Sequence, residues 1–64
     1  MKIKGSYIKE LRKRKHLTQK ELGNLLDISE SMICKIESGE RLTSILNLKK
    51  IAKSLSTTMD DLVG

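Results

Sequence analysis

The chain has 64 residues and a formal net charge of +5 at pH 7, with one cysteine and no proline. This length provides one small domain, and a single cysteine excludes an internal disulfide, so stability has to come from an apolar core and favourable helix ends. Residues 1–20 hold eight basic side chains and one acidic side chain. That uneven charge favours a polyanionic partner, although solubility alone would also explain it.

Several function classes find no support in the residues. No apolar run approaches the roughly 18 residues that span a membrane, and the first residues lack the apolar stretch of a signal peptide. His16 has no Cys, Asp or Glu at metal-ligand spacing, and the chain has neither a nucleophile–base set nor a glycine-rich phosphate loop. We therefore expect a cytoplasmic protein with no metal, no cofactor and no enzymatic activity.

The first predicted helix covers residues 6–15. Ile8 and Leu11 lie three residues apart and form its apolar stripe, with Tyr7 beside them. The helix ends in four consecutive basic residues, where positive charge interacts favourably with the helix dipole. Leu17 follows in a short connection and is expected to enter the core.

A second predicted helix begins at Thr18. Glu21 follows three residues later, and this spacing is typical of a capping box, in which each side chain bonds a backbone N–H of the other residue. Leu22 and Leu26 lie four residues apart and supply the inner face. The pattern predicts a short helix that is well defined at its start.

A tight turn and a third helix follow directly. Asp27 is expected to adopt the left-handed backbone of the turn, and Ser29 is expected to cap the third helix. Ile33 and Ile36 form the buried pair of that helix, and Gly39 lies just past its end, where a left-handed cap favours glycine. Two short helices joined in this way predict a helix-turn-helix at about residues 18–39.

Two further helices complete the predicted bundle. The fourth begins at Thr43 or Ser44, and the fifth begins near Thr58. Apolar residues recur at helical intervals in both helices: Ile45, Leu48, Ile51, Ala52 and Leu55, then Met59, Leu62 and Val63. The sequence therefore predicts one all-α domain over residues 1–64.

Three motifs in a common register resemble the phage-repressor and Cro-like helix-turn-helix family of the XRE type. They are Leu17-Thr18-Gln19 with Glu21-Leu22, then Ile33, Ile36, Glu37 and Gly39, and then Ile51-Ala52. The resemblance implies a compact five-helix bundle, the lambda-repressor-like DNA-binding fold. It also implies a nucleoid-associated transcriptional regulator of bacterial or phage origin, most often a repressor, that binds a two-fold symmetric operator in double-stranded DNA as a homodimer.

Two residues depart from the pattern of that family. Gly23 stands where the family usually has alanine, and Asp27 stands where it usually has the glycine of the turn. Glycine inside a helix costs about 1 kcal/mol relative to alanine. We therefore expect the next helix to pass closely at Gly23 and to compensate for that cost.

The side of the third helix opposite Ile33 and Ile36 is expected to enter the major groove. Lysine can donate to guanine, glutamate can accept from cytosine, serine can do either, and methionine can lie against a thymine methyl group. For Lys35 and Glu30 the alternative is a solvated helix face without a DNA contact. The predicted base-contact residues are Glu30, Ser31, Met32 and Lys35.

Phosphate contacts are expected around the start of the second helix, because free backbone N–H groups there attract anions. By resemblance to the family, Gln19 contacts a phosphate and supports Glu30 at the start of the third helix. The other predicted phosphate-contact residues are Thr18, Lys20, Ser38, Arg41 and Asn47. Such contacts set the position of the protein on DNA without reading its sequence.

Two further pairs of residues are predicted to hold the molecule and its assembly together. By resemblance, Arg12 of the first helix pairs with Glu37 in a partly buried ion pair. Leu42 and Leu46 lie four residues apart at the start of the fourth helix, in the region where the family often has its dimer contact. An exposed apolar pair would form an interface, whereas the alternative is partial burial in the core.

Three hypotheses about function follow. The leading one is a sequence-specific, dimeric transcriptional regulator, most often a repressor. The second is a protein-interaction module, such as an antitoxin that binds DNA mainly to regulate its own synthesis, with Leu25, Leu42 and Leu46 as its partner surface. The third is a DNA-binding domain that belongs to a longer regulator.

Overall fold

The computed structural model describes residues 3–64, which form five α-helices. The helices are α1 Gly5–Arg14, α2 Gln19–Leu26, α3 Glu30–Ser38, α4 Ile45–Ser54 and α5 Met59–Leu62. Their number and type confirm the predicted all-α five-helix bundle, and α1 begins and ends one residue earlier than predicted. No helix between residues 3 and 64 is long and apolar enough to cross a membrane.

Helices α2 to α5 each begin with a hydroxyl side chain that accepts a hydrogen bond from a backbone N–H in the first turn. A cap of this kind satisfies an N–H that has no acceptor inside the helix, and it contributes about 1 kcal/mol. Ser44, rather than Thr43, caps α4. The four acceptors are Thr18, Ser29, Ser44 and Thr58, and their donors are Glu21, Met32, Asn47 and Asp61.

The start of α1 is held by the far end of the chain, a feature that the sequence did not indicate. The backbone N–H of Lys4 donates to the carbonyl oxygen of Leu62 at 2.7 Å, and Ile3 forms an antiparallel β-bridge with Val63. The side chain of Ile3 is buried in the core. The segment before α1 therefore closes the bundle beside α5.

The turn between α2 and α3 depends on two backbone positions. Asp27 has a φ of 58°, which is the left-handed conformation predicted for it. A Cβ atom on Gly23 would lie 2.5 Å from the carbonyl oxygen of Ile28. The close approach predicted at Gly23 is therefore present, but the backbone of the turn makes it rather than α3.

One apolar core joins all five helices. Ile45, the first residue of α4, belongs to the apolar helical pattern of the sequence but does not join the core, and its side chain is 58% exposed. Leu17 is half-buried and packs against the core, as expected for the connection after α1. The buried core residues are Ile3, Ile8, Leu22, Leu26, Ile33, Ile36, Leu48, Ile51, Ala52, Leu55 and Leu62.

Candidate nucleic-acid interface

One face of α3 is exposed along the whole helix. Residues three and four apart share a helix face, so Ser31, Lys35 and Ser38 form one exposed row. Ile33 and Ile36 are 1% and 2% exposed on the opposite side. The two buried isoleucines fix the rotation of α3, and the polar row therefore points away from the core. Glu30 is exposed at the start of the same helix.

Met32 does not belong to this face. We predicted that it would lie with the base-contact residues, but its side chain is half-buried and packs against the core. The physical reason is that Met32 precedes Ile36 by one helical turn, so the two side chains share a side. Cys34 is exposed instead, four residues after Glu30 and four before Ser38. The spacing of four residues from Glu30 is the signal that could have identified Cys34 as an exposed residue of α3.

The start of α2 is organised by a complete capping box. The Thr18 hydroxyl accepts a hydrogen bond from the backbone N–H of Glu21 at 3.0 Å, and the backbone N–H of Thr18 donates to the Glu21 carboxylate at 2.9 Å. The bond from the Thr18 backbone, followed by the bond with its side chain, lowers the pKa of Glu21 below its usual range. The first N–H groups of α2, at Gln19 and Lys20, lie outside the intrahelical pattern and can meet an anion.

Arg12 and Glu37 form a buried ion pair between α1 and α3. Arg12 Nε donates to Glu37 Oε2 at 2.7 Å, and Arg12 Nη2 donates to Glu37 Oε1 at 3.2 Å. The remaining nitrogen, Nη1, donates to the carbonyl oxygen of Leu17 at 2.6 Å. The two residues are 6% and 7% exposed, so this pair is buried more completely than the sequence predicted.

The side chain of Gln19 joins this ion pair. Its Nε2 donates to Glu37 Oε1 at 3.1 Å. The expectation that Gln19 supports Glu30 is wrong in this structure, because the buried carboxylate of Glu37 is a strong acceptor within reach of α2 whereas Glu30 is exposed. Arg12, Glu37 and Gln19 therefore form one hydrogen-bonded network, which we call the Arg12–Glu37–Gln19 network, and it connects the first three helices.

The other candidates for phosphate contacts lie at different depths. Asn47 is half-buried, and its backbone N–H is held by the Ser44 cap. Ser38 donates from its hydroxyl to the carbonyl oxygen of Lys35 at 3.1 Å, which fixes its position at the end of α3. Thr18, Lys20, Ser38 and Arg41 are exposed.

An apolar patch covers the connection before α4 and its first turn. We define it by Leu42, Ile45 and Leu46, which are 63%, 58% and 65% exposed. This exposure contradicts the alternative in which Leu42 and Leu46 are partly buried, and it adds Ile45 to the predicted pair. Leu25 on α2 is another exposed apolar residue, at 64%.

The sequence of this chain is similar to a known protein family and to individual proteins. A family model described as helix-turn-helix matches residues 8–62. The chain is 36% identical over 59 residues to the control protein C.MunI of Mycoplasma sp, an alignment that covers 91% of this chain and 80% of that protein. It is 39% identical over 57 residues to the HTH-type transcriptional activator BcrR of Enterococcus faecalis, but spans only 28% of BcrR while using 89% of this chain.

A solved structure resembles the whole described chain. The P22 c2 repressor protein, determined in complex with a synthetic operator, superposes with a TM-score of 0.91 at 27% sequence identity. The match covers 98% of this chain and 96% of the repressor chain. The arrangement of all five helices is therefore shared with a protein that was solved on its operator.

Proposed function

Because the chain belongs to the helix-turn-helix family, we propose that it is a transcriptional regulator that binds double-stranded DNA at a specific sequence. We assign residues 1–64 to one DNA-binding domain, with residues 18–39 as its helix-turn-helix unit. The protein acts in the cytoplasm, on the nucleoid, and requires no cofactor. The observation that carries this proposal is the exposed polar face of α3, which two buried isoleucines hold outward.

The exposed face of α3 supplies the groups that contact base edges. Lys35 donates to guanine O6 and N7, Glu30 accepts from cytosine N4, and Ser31 bonds either type of group. All three side chains are exposed and lie on a helix whose rotation is fixed by the core. Their chemistry and their shared helix support the proposal that α3 lies in the major groove.

Backbone phosphates are bound around this helix. The start of α2 supplies outward N–H groups and the exposed cation of Lys20, and Gln19 supplies an amide beside them. Ser38, Arg41 and Asn47 extend the set beyond the end of α3. Each phosphate neutralised by a basic side chain contributes about −0.9 to the slope of log affinity against log salt.

Repression is the mode of regulation that we propose. The structural match to the P22 c2 repressor, which was solved in complex with a synthetic operator, covers 96% of that chain and supports this mode. A protein that occupies an operator with a compact domain blocks other proteins from the same DNA. Activation would require a further contact with the transcription machinery.

We propose that two copies bind one two-fold symmetric operator and meet through the apolar patch of Leu42, Ile45 and Leu46. Three apolar side chains that are more than half exposed are unfavourable in water, and a two-fold interface buries the same patch twice. The predicted dimer pair is therefore extended by Ile45.

A second candidate function is a protein-interaction module that binds DNA mainly to regulate its own synthesis. The exposure of Leu25 favours this function. Leu25 lies on α2, is 64% exposed and is not one of the three residues of the apolar patch. Under this function a different protein would cover Leu25. Binding of a cellular protein that is lost in Leu25→Ser but retained in Leu46→Ser would support it.

Selection from a library of random DNA duplexes at physiological salt tests the main proposal. The expected product is a two-fold symmetric consensus whose half-sites are about 10 base pairs apart, one turn of the double helix. Enrichment of an asymmetric site would overturn the dimeric arrangement. Failure to enrich any consensus would overturn sequence-specific DNA binding itself.

A further inference from the structure

The side-chain amide of Gln19 has two hydrogens, and the contact with Glu37 uses one of them. Gln19 is the first residue of α2 and is half-buried, whereas Glu37 is only 7% exposed. The inner hydrogen therefore points to the buried network. The other hydrogen takes no part in this contact, and it belongs to a residue at the start of α2, where free N–H groups attract anions.

We infer that Glu37 is a positioning residue for DNA binding, because it holds Gln19 ready to donate its second amide hydrogen to a DNA backbone phosphate. This inference rests on the proposed function. It assigns a role in DNA binding to a buried carboxylate that does not touch DNA. It also predicts that the contribution of Gln19 to affinity depends on Glu37.

The geometry of the ion pair explains how Glu37 performs this role. Arg12 donates to both carboxylate oxygens of Glu37, at 2.7 and 3.2 Å, so the carboxylate cannot rotate freely. Gln19 bonds to one of these fixed oxygens and so occupies one conformation before DNA arrives. The rotational entropy that a glutamine loses on binding a phosphate is then already lost in the free protein.

The charges in the Arg12–Glu37–Gln19 network are compatible with a nearby phosphate. An unpaired carboxylate would repel the phosphate, but Glu37 is neutralised by Arg12. Donors and acceptors then alternate from the guanidinium to the carboxylate, the amide and the phosphate. The amide is neutral, and it separates the two negative groups while bonding to both.

A double-mutant cycle tests the inference. In one background the ion pair is intact. In the other it is replaced by an apolar pair of similar volume, Arg12→Met with Glu37→Met, which avoids leaving one buried charge without its partner. Gln19→Ala is made in both backgrounds, and affinity for a selected operator duplex is measured at fixed salt. Lys20→Ala is the matched control. Lys20 lies beside Gln19 on α2, but it is not one of the three residues of the Arg12–Glu37–Gln19 network.

The expected result is non-additive. Gln19→Ala lowers affinity about tenfold when the ion pair is present and less than about twofold when it is absent, as for loss of one hydrogen bond to a charged group. Lys20→Ala lowers affinity by the same factor in both backgrounds. Equal losses for Gln19→Ala in both backgrounds overturn the inference alone. A wild-type protein that binds no duplex overturns the inference and the proposed function together.

A second measurement needs no substitution. The two side-chain amide protons of Gln19 are observed by NMR in the wild-type protein, free and bound to the operator duplex. The inference expects one proton to stay hydrogen-bonded to Glu37 while the other shifts on binding. Loss of the Glu37 bond on binding, or two unchanged protons, overturns it even where the variants are poorly folded.

Discussion

Arg12 Nε lies 2.7 Å from Glu37 Oε2, although 25 positions separate the two residues in the sequence. The contact joins the first helix to the last turn of the helix that we propose to bind DNA. The pair is buried, so water does not screen either charge. Each charge therefore needs its partner to offset the free-energy cost of its burial. The same carboxylate accepts from Gln19, and the ion pair therefore also contributes to the surface at the start of α2.

The first prediction concerns the stability of this ion pair. Arg12→Met is expected to lower the free energy of unfolding by about 3–5 kcal/mol, because it leaves the buried carboxylate of Glu37 without its cation. Replacing both residues by methionine is expected to recover most of that loss, since no unpaired charge remains. Urea denaturation followed by circular dichroism measures both effects. A double variant as unstable as Arg12→Met would contradict this account.

The second prediction separates base contacts from phosphate contacts. Lys35→Ala is expected to relax the preference at one base position of the operator by about 1–3 kcal/mol, because a lysine–guanine contact discriminates against other bases. Lys20→Ala is expected to weaken binding to all sequences alike and to reduce the salt slope by about one unit. Competition binding with single-base operator variants at several salt concentrations measures both. Equal effects of the two substitutions on base preference would contradict the assignment.

The third prediction concerns the two departures from the family pattern, Gly23 inside α2 and Asp27 in the turn that follows. Gly23→Ala is expected to destabilise the fold by about 1–3 kcal/mol despite the better helix propensity of alanine, because its Cβ would meet the Ile28 carbonyl oxygen at 2.5 Å. Asp27→Gly is expected to stabilise the fold by about 1 kcal/mol, because φ at this position is 58°. Urea denaturation compares the two. Stabilisation by Gly23→Ala would show that the turn can move.

The elements of the fold that depend on local pattern could be predicted from the sequence. Thr18 and Ser29 are caps in the structure as expected, since a cap requires only a suitable side chain three residues before the N–H it accepts from. Ile33 and Ile36 are buried because helical spacing alone decides which side of α3 is apolar. These features involve neighbours within one or two turns.

The features that depend on contacts distant in sequence could not be predicted. Ile3 is buried and forms a β-bridge with Val63, almost the whole chain away, and Ile45 is 58% exposed although it continues the helical spacing of Leu48 and Ile51. The partner of Gln19 was assigned wrongly for the same reason, because Glu37 is 18 positions away. The Arg12–Glu37 pair was expected only through resemblance to a family.

The fourth prediction concerns association through the apolar patch. Leu46→Ser is expected to raise the dimer dissociation constant by about tenfold or more, because burying two leucine side chains in a two-fold interface contributes at least about 1.5 kcal/mol in total. Leu25→Ser is the matched control, since Leu25 has nearly the same exposure, 64% against 65%. Sedimentation equilibrium of the three proteins gives the constants. A larger effect of Leu25→Ser would move the interface to α2.

The fifth prediction concerns pH and the capping box of α2. Folding lowers the pKa of Glu21 because Thr18 donates to its carboxylate, so the folded protein binds that proton less readily than the unfolded chain does. The contribution of the Glu21 carboxylate to the free energy of unfolding is therefore fully present at neutral pH. It is lost as the pH falls through the lowered pKa of the folded state.

Glu21→Gln is the matched variant for this prediction, because glutamine keeps an acceptor for the Thr18 N–H but does not titrate. Its free energy of unfolding is expected to fall less steeply with acidification than that of the wild-type protein. The two proteins are compared by urea denaturation from neutral to acidic pH. Identical acid dependence would show that the carboxylate is not held by the cap in solution, and that the start of α2 frays at the position proposed to bind phosphate.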